Sequence, residues 1–193
     1  MTPPVPVDVE HLSELLDELD QTAAALPVVV ADESDWTLRP ATGWSIGQHV
    51  EHVARSLGLT AQAFERAVDA LERDALPKRP WRDPLQAVFV KVVTGRRFPR
   101  GGRSPAPARP DAAPDRTRAL YDVTEGARRH RRVADHLPPA ARERVWIWNP
   151  FVPKFKWHYT LPEIVRVQKN HIEHHMQLIA EIQERTGVRS NPA

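Results

Sequence analysis

The chain contains no cysteine. That absence excludes disulfides, thiolate metal sites and cysteine nucleophiles together, and it fits a reducing compartment, so a cytoplasmic location is expected. Long apolar runs are missing too. The longest, Ala23 to Ala31, has 9 residues and includes a proline, whereas a membrane span needs about 18 or more. No spanning segment and no membrane partner are therefore expected, and the N-terminal stretch lacks the basic and apolar regions of a signal peptide. Glycine is scarce, at 8 residues. The pair Gly101-Gly102 is too little to suggest a phosphate-cradling loop, and no Ser-His-Asp arrangement is visible. With a net charge of +2, the chain has no strong overall bias toward nucleic acid.

What the chain does have is 19 prolines and 9 histidines in 193 residues, with 41 % hydrophobic residues. This composition suits one globular domain spanning residues 1–193 and excludes disorder as the main state. The prolines punctuate the chain, and the histidines carry the functional argument.

Apolar periodicity predicts a mainly helical chain. Leu12, Leu15, Leu16, Leu19, Ala23 and Leu26 form one stripe of a helix over 8–26, which Pro27 is expected to close. Ser45-Ile-Gly-Gln48 is a capping-box pattern. It opens a long helix running to about Ala75, with Gly58 as a candidate bend. Asp83-Pro84 starts a shorter helix with Leu85, Val88, Phe89 and Val92 on one face. Residues 94–114 read as a proline-rich basic loop. Asp115 begins a further helix that ends at Pro138-Pro139. Between Val145 and Tyr159 a short hairpin and an irregular loop are both compatible with the pattern. Thr160-Leu-Pro-Glu163 is a second capping box, opening the last helix, which runs to about Arg185 ahead of a frayed tail over 186–193. The expected architecture is an all-α antiparallel four-helix bundle with long connections.

On the last helix, His171 and His175 lie about 40° apart in the middle of the apolar stripe, with His174 on the flank. Two imidazoles one turn apart and aimed at a core suit a metal; a pair of core histidines satisfied by hydrogen bonds is the alternative. The second long helix can add a third ligand from His49 or His52. The helical wheel favours His49, about 60° from the centre of its apolar face against about 120° for His52.

Gly43-Trp-Ser-Ile-Gly-Gln-His-Val-Glu-His-Val-Ala54 and Asn170-His-Ile-Glu-His-His-Met-Gln-Leu-Ile179 resemble the two signature segments of the DinB-like superfamily of four-helix metalloproteins. Arg97-Phe98-Pro99 and the basic loop around it resemble an uncharacterised branch of that superfamily. The resemblance implies His52, His171 and His175 as metal ligands, with His49, His174 and Trp44 behind them or in the pocket. It thus departs from the wheel over His49. It also implies a divalent transition metal, zinc first, with nickel or iron as alternatives. The activity implied is transfer of a low-molecular-weight thiol, or hydrolysis, acting on a small-molecule substrate. With no cysteine in the chain, a thiol would have to come from a cosubstrate. The segment from Val145 to Leu161 departs from the shorter, glycine-containing connection of the family.

Arg96, Arg97 and Arg100 are expected near the pocket mouth as substrate-binding residues, since guanidinium pairs bidentately with carboxylates. A homodimer is compatible with this reading. Two alternatives use other features. A bundle that binds a metal or small ligand without turnover needs only the histidines. Nucleic-acid binding would use the basic run Lys91, Arg96, Arg97, Arg100, Arg103 and Arg109 together with Arg128, Arg129, Arg131 and Arg132.

Overall fold

A computed structural model describes residues 9–95, 104–142 and 144–187. Six helices are present among them: α1 (Val9–Val29), α2 (Ile46–Glu72), α3 (Pro84–Val93), α4 (Arg116–His136), α5 (Pro139–Arg142) and α6 (Leu161–Arg185). The short strands β1 (Trp146–Trp148) and β2 (His158–Thr160) precede α6. No described helix is long and apolar enough to cross a membrane.

The capping signals act as read. Ser45 Oγ accepts from the Gln48 amide at 3.2 Å while Gln48 Oε1 accepts from the Ser45 amide at 3.0 Å. Asp83 and Asp115 cap α3 and α4 in the same way, each accepting from the amide three residues on. Pro27 does not end α1, as the pattern suggested; the helix continues to Val29 with the proline inside it. Leu26 and Val30 are fully buried, so core packing holds the last turn although one backbone donor is missing. The Arg116 guanidinium then donates to the carbonyls of Val30 and Ala31 at the helix end. α2 likewise runs unbroken through Gly58 and stops at Glu72.

α1, α2, α4 and α6 form the bundle, with α2 and α6 each packed on two of the others. Ladders of contacts fix the directions. Leu57 meets Gly126, Glu65 meets Arg129 and Glu72 meets His136, so α2 and α4 are parallel. His11 meets Arg166, Glu18 meets Lys169 and Val29 meets Gln183, so α1 and α6 are parallel too. The two pairs oppose each other, because His52 faces His171 while Thr60 faces Gln168. The bundle therefore has two helices in each direction, with like-directed helices as neighbours. Parallel neighbours need a connection that returns the length of the bundle. Residues 73–115 make that return between α2 and α4, which is why this connection is long and carries α3.

β1 and β2 pair antiparallel with Trp146 opposite Thr160, Ile147 opposite Tyr159 and Trp148 opposite His158. The hairpin and the irregular loop are thus both present, since residues 149–157 connect the strands. Of the face predicted for α3, Phe89 turns inward and the other three residues do not. Its buried residues are Gln86, Val90 and Val93, while Leu85, Val88 and Val92 face solvent. Gln86 decides the orientation by donating to the His158 carbonyl at 2.6 Å, which pins α3 against the hairpin.

α2 and α4 approach closely at Gly126, where an added Cβ would lie 2.6 Å from Leu57 Cβ. Gly126→Ala should destabilise the protein by about 1–3 kcal/mol, seen as a lower urea midpoint. Beside this contact, His130 is fully buried. Its Nδ1–H donates to the Gly126 carbonyl at 2.8 Å and its Nε2 accepts from Thr60 Oγ1 at 3.0 Å. Burial lowers its pKa to about 4. Protonation therefore favours the unfolded chain, and this contribution to stability is present above about pH 6.5 and lost as pH falls toward 4. His130→Gln should make the urea midpoint less steeply dependent on pH across that window.

A candidate metal centre between two helices

α2 and α6 cross with their histidines facing one another. His49, His52, His171 and His175 are all buried. His52 Nε2 and His175 Nε2 each lie 3.1 Å from His171 Nε2. One ligand nitrogen from each of these three residues falls within 4.8 Å of the others. Bonds of about 2.0–2.1 Å to a shared ion, at angles of about 90–110°, would set pairs of nitrogens about 2.9–3.4 Å apart. Both separations from His171 fall inside that range.

The remaining ring nitrogens settle the protonation. His52 Nδ1 is 2.7 Å from the Ala108 carbonyl, which can only accept. The proton therefore sits on Nδ1, and Nε2 presents a lone pair to the cluster. His175 Nδ1 is 2.9 Å from His49 Nδ1. When His175 Nδ1 donates across that contact, its Nε2 is also free to act as a ligand. At the centre, one proton on His171 Nε2 could serve only one of its two 3.1 Å contacts. A cation satisfies all three nitrogens at once, and this donor set fits a transition metal of the zinc, nickel or iron type.

Burial is the main cause of depressed basicity in all four rings. It lowers His49 to about 4 and holds His171 and His175 well below the ordinary range. His52 is lowered by burial too, with the Ala108 carbonyl acting in the opposite direction. All four are thus neutral at pH 7, the form in which imidazole binds a cation. Among the described residues no carboxylate joins the cluster. Glu51 instead accepts from Arg55 at 2.8 Å and from the Asp111 amide at 2.6 Å, and Glu173 pairs with Lys169 at 3.1 Å.

The cluster opens into a cavity of about 550 Å³, within the usual range for small-molecule sites. Its wall is largely apolar, including Trp44, Phe89, Val93, Phe151, Val152 and Leu178. The Trp44 ring lies 5.0 Å from His52 and 5.5 Å from His49, centre to centre. His49 touches His175 through Nδ1, on the side away from the three converging nitrogens. His174 lines the cavity with its ring against His175. Of the aromatics before α6, Tyr159 lines the cavity, whereas Trp148 and Phe155 are exposed.

Residues 104–108 of the basic loop reach the site, with Ser104 Oγ 3.3 Å from His52 Nδ1. Arg96, Arg97 and Arg100 lie outside the described residues. Sequence reasoning missed Ala108, whose contribution is a backbone oxygen without any side-chain signature. It also missed Glu181 and Arg185, which line the far end of the cavity. Extending the His171–His174–Leu178 stripe by two turns would have found them.

No family model matches the chain, and no curated protein matches it. Among solved structures it is similar to YfiT from Bacillus subtilis, described as a probable metal-dependent hydrolase with an unusual four-helix bundle topology. The TM-score is 0.62 and the identity 18 %, over 97 % of this chain and 94 % of YfiT. A likeness at that identity speaks for the fold, and the fold of this chain is an all-α four-helix bundle related to that of YfiT.

Proposed function

We propose that this chain is a metal-dependent enzyme in which His52, His171 and His175 hold a divalent transition metal, zinc before nickel or iron, for hydrolysis of a small, mostly apolar molecule. The observation that carries the reading is the convergence of three buried, neutral imidazole nitrogens at an apolar cavity, with no carboxylate among them. When bound, such a metal supplies a Lewis acid able to lower the pKa of water to about 7.

The chain's own residues set up that chemistry. The Ala108 carbonyl fixes the tautomer of His52 and His49 holds the outer nitrogen of His175, and such partners orient ligands and raise their basicity. The apolar wall excludes bulk water and strengthens polar interactions inside the cavity. Tyr159 accepts from Asn149 Nδ2 at 3.4 Å, which leaves its own O–H as a donor for a substrate oxygen. Burial raises the Tyr159 pKa to about 12, so that proton stays in place at neutral pH. The hydrolase description of YfiT supports the choice of water as the nucleophile. A low-molecular-weight thiol is the second candidate. The cavity of about 550 Å³ has room for a cosubstrate beside its acceptor, and the chain has no cysteine of its own to supply one.

Protein purified without an affinity tag should carry about one divalent metal per chain by elemental analysis, and the His52→Ala, His171→Ala, His175→Ala triple variant should carry none. Metal-loaded protein should turn over members of a panel of simple esters, amides and thiol–electrophile pairs, and the triple variant should be slower by at least about 100-fold. Wild-type turnover no faster than the variant's would leave a metal-binding bundle without catalysis.

His49→Ala should keep the metal stoichiometry but weaken affinity by about 10–100-fold, measured by competition with a chromogenic chelator. Unchanged affinity would remove His49 from the orienting role.

A further inference from the structure

α3 is apolar on two sides. Phe89 and Val93 face inward and line the cavity. Leu85, Val88 and Val92, spaced three and four apart, form a second stripe that faces out, at 69 %, 61 % and 46 % exposure. Trp81, just before the helix, is 84 % exposed. The neighbouring loop is joined to the inner side of α3, where Phe89 packs on Trp157 at 4.8 Å, and Trp157 in turn stacks on Phe155 at 5.0 Å. Phe155 is itself 51 % exposed. Scattered exposed apolar residues are ordinary, but three on one side of a single helix, with Trp81 just before it and Phe155 on the adjoining loop, suit an interaction surface.

Charge selects the partner. Lys78, Arg79, Lys91, Lys154 and Lys156 are exposed on the same segments, and no ion pair engages the four lysines among the described residues. Residues 84–95 and 150–157 contain no acid. The nearest carboxylates in sequence are occupied: Asp83 caps α3, and Glu163 is clasped by Arg82 at 2.7 and 2.8 Å. A second copy docked through this face would bring lysines against lysines. An anionic lipid surface meets both features, because tryptophan, phenylalanine and leucine enter the interface while lysines reach the headgroups.

We infer that the outer face of α3, with Trp81 and Phe155, docks this protein reversibly on anionic membrane surfaces. No spanning helix is needed for such a contact, which runs against the expectation of no membrane partner drawn from the sequence. The inference is independent of the metal. It places the cavity wall at Phe89 and Val93 one helix thickness from the bilayer.

The 193-residue chain should co-sediment with vesicles of phosphatidylcholine containing about 30 % phosphatidylserine and not with phosphatidylcholine alone, and added salt should weaken binding. Trp81→Ser with Leu85→Ser and Val88→Ser, all at exposed positions, should reduce the bound fraction at least about tenfold. Lys154→Glu with Lys156→Glu should do so by at least about threefold. Tyr121→Ser, exposed on α4 away from this face, should bind like the wild type. Three results would overturn the inference. The wild type could stay in solution with anionic vesicles at low salt, or the serine variant could bind as well as the wild type. Alternatively, light scattering could show a wild-type dimer that the serine variant dissolves, which would assign the face to a second copy.

Discussion

A neutral imidazole has two ring nitrogens and one proton, so four of them carry as many lone pairs as hydrogens, and each proton given to an acceptor outside the group leaves one lone pair within it without a hydrogen. In this protein that shortfall arises among buried side chains where α2 crosses α6. Two contacts occupy the outer nitrogens of the cluster. Ala108 takes the proton of His52, and His49 engages the outer nitrogen of His175. What remains is three lone-pair positions facing one point, the condition under which a cation becomes the most economical partner. The surrounding fold serves to keep those rings buried, neutral and mutually aligned.

Helix direction follows from the same requirement. Because α2 and α6 oppose each other, the i, i+3 pair His49 and His52 meets the i, i+4 pair His171 and His175 in reversed order. Because α2 and α4 are parallel, the chain must travel back along the bundle between them. That return delivers Ala108 to His52, and also carries Phe89 and Val93 to the cavity wall. The long connection is thus part of the site's construction.

Much of this was legible in the residues. Capping boxes at Ser45 and Thr160 and the aspartates at positions 83 and 115 mark helix starts through local hydrogen bonds, which sequence reports directly. The inward phase of His171 and His175 was equally readable from a single helix. The relation between His49 and His52 was not, because a wheel measures angle from a core axis and not reach toward a crossing helix; His52, on the flank, extends to His171 while His49 stops at His175. α3 misled for a related reason. With apolar residues all round, its periodicity could not say which side turns inward, and one polar side chain, Gln86, fixed the answer. Pro27 shows tertiary packing outweighing a local breaker.

Loops are ordinarily the parts of a protein whose length drifts most freely. Residues 104–111 have given up that freedom. The Ala108 carbonyl is tied to His52, the Arg109 carbonyl to Arg55, and the amide and carbonyl of Asp111 to Glu51 and Gln48. Four successive positions on one face of α2 therefore read the register of this loop as a neighbouring strand would. An insertion within it would shift the carbonyl behind His52, and so change the electronic character of the site, before it disturbed the packing of any helix.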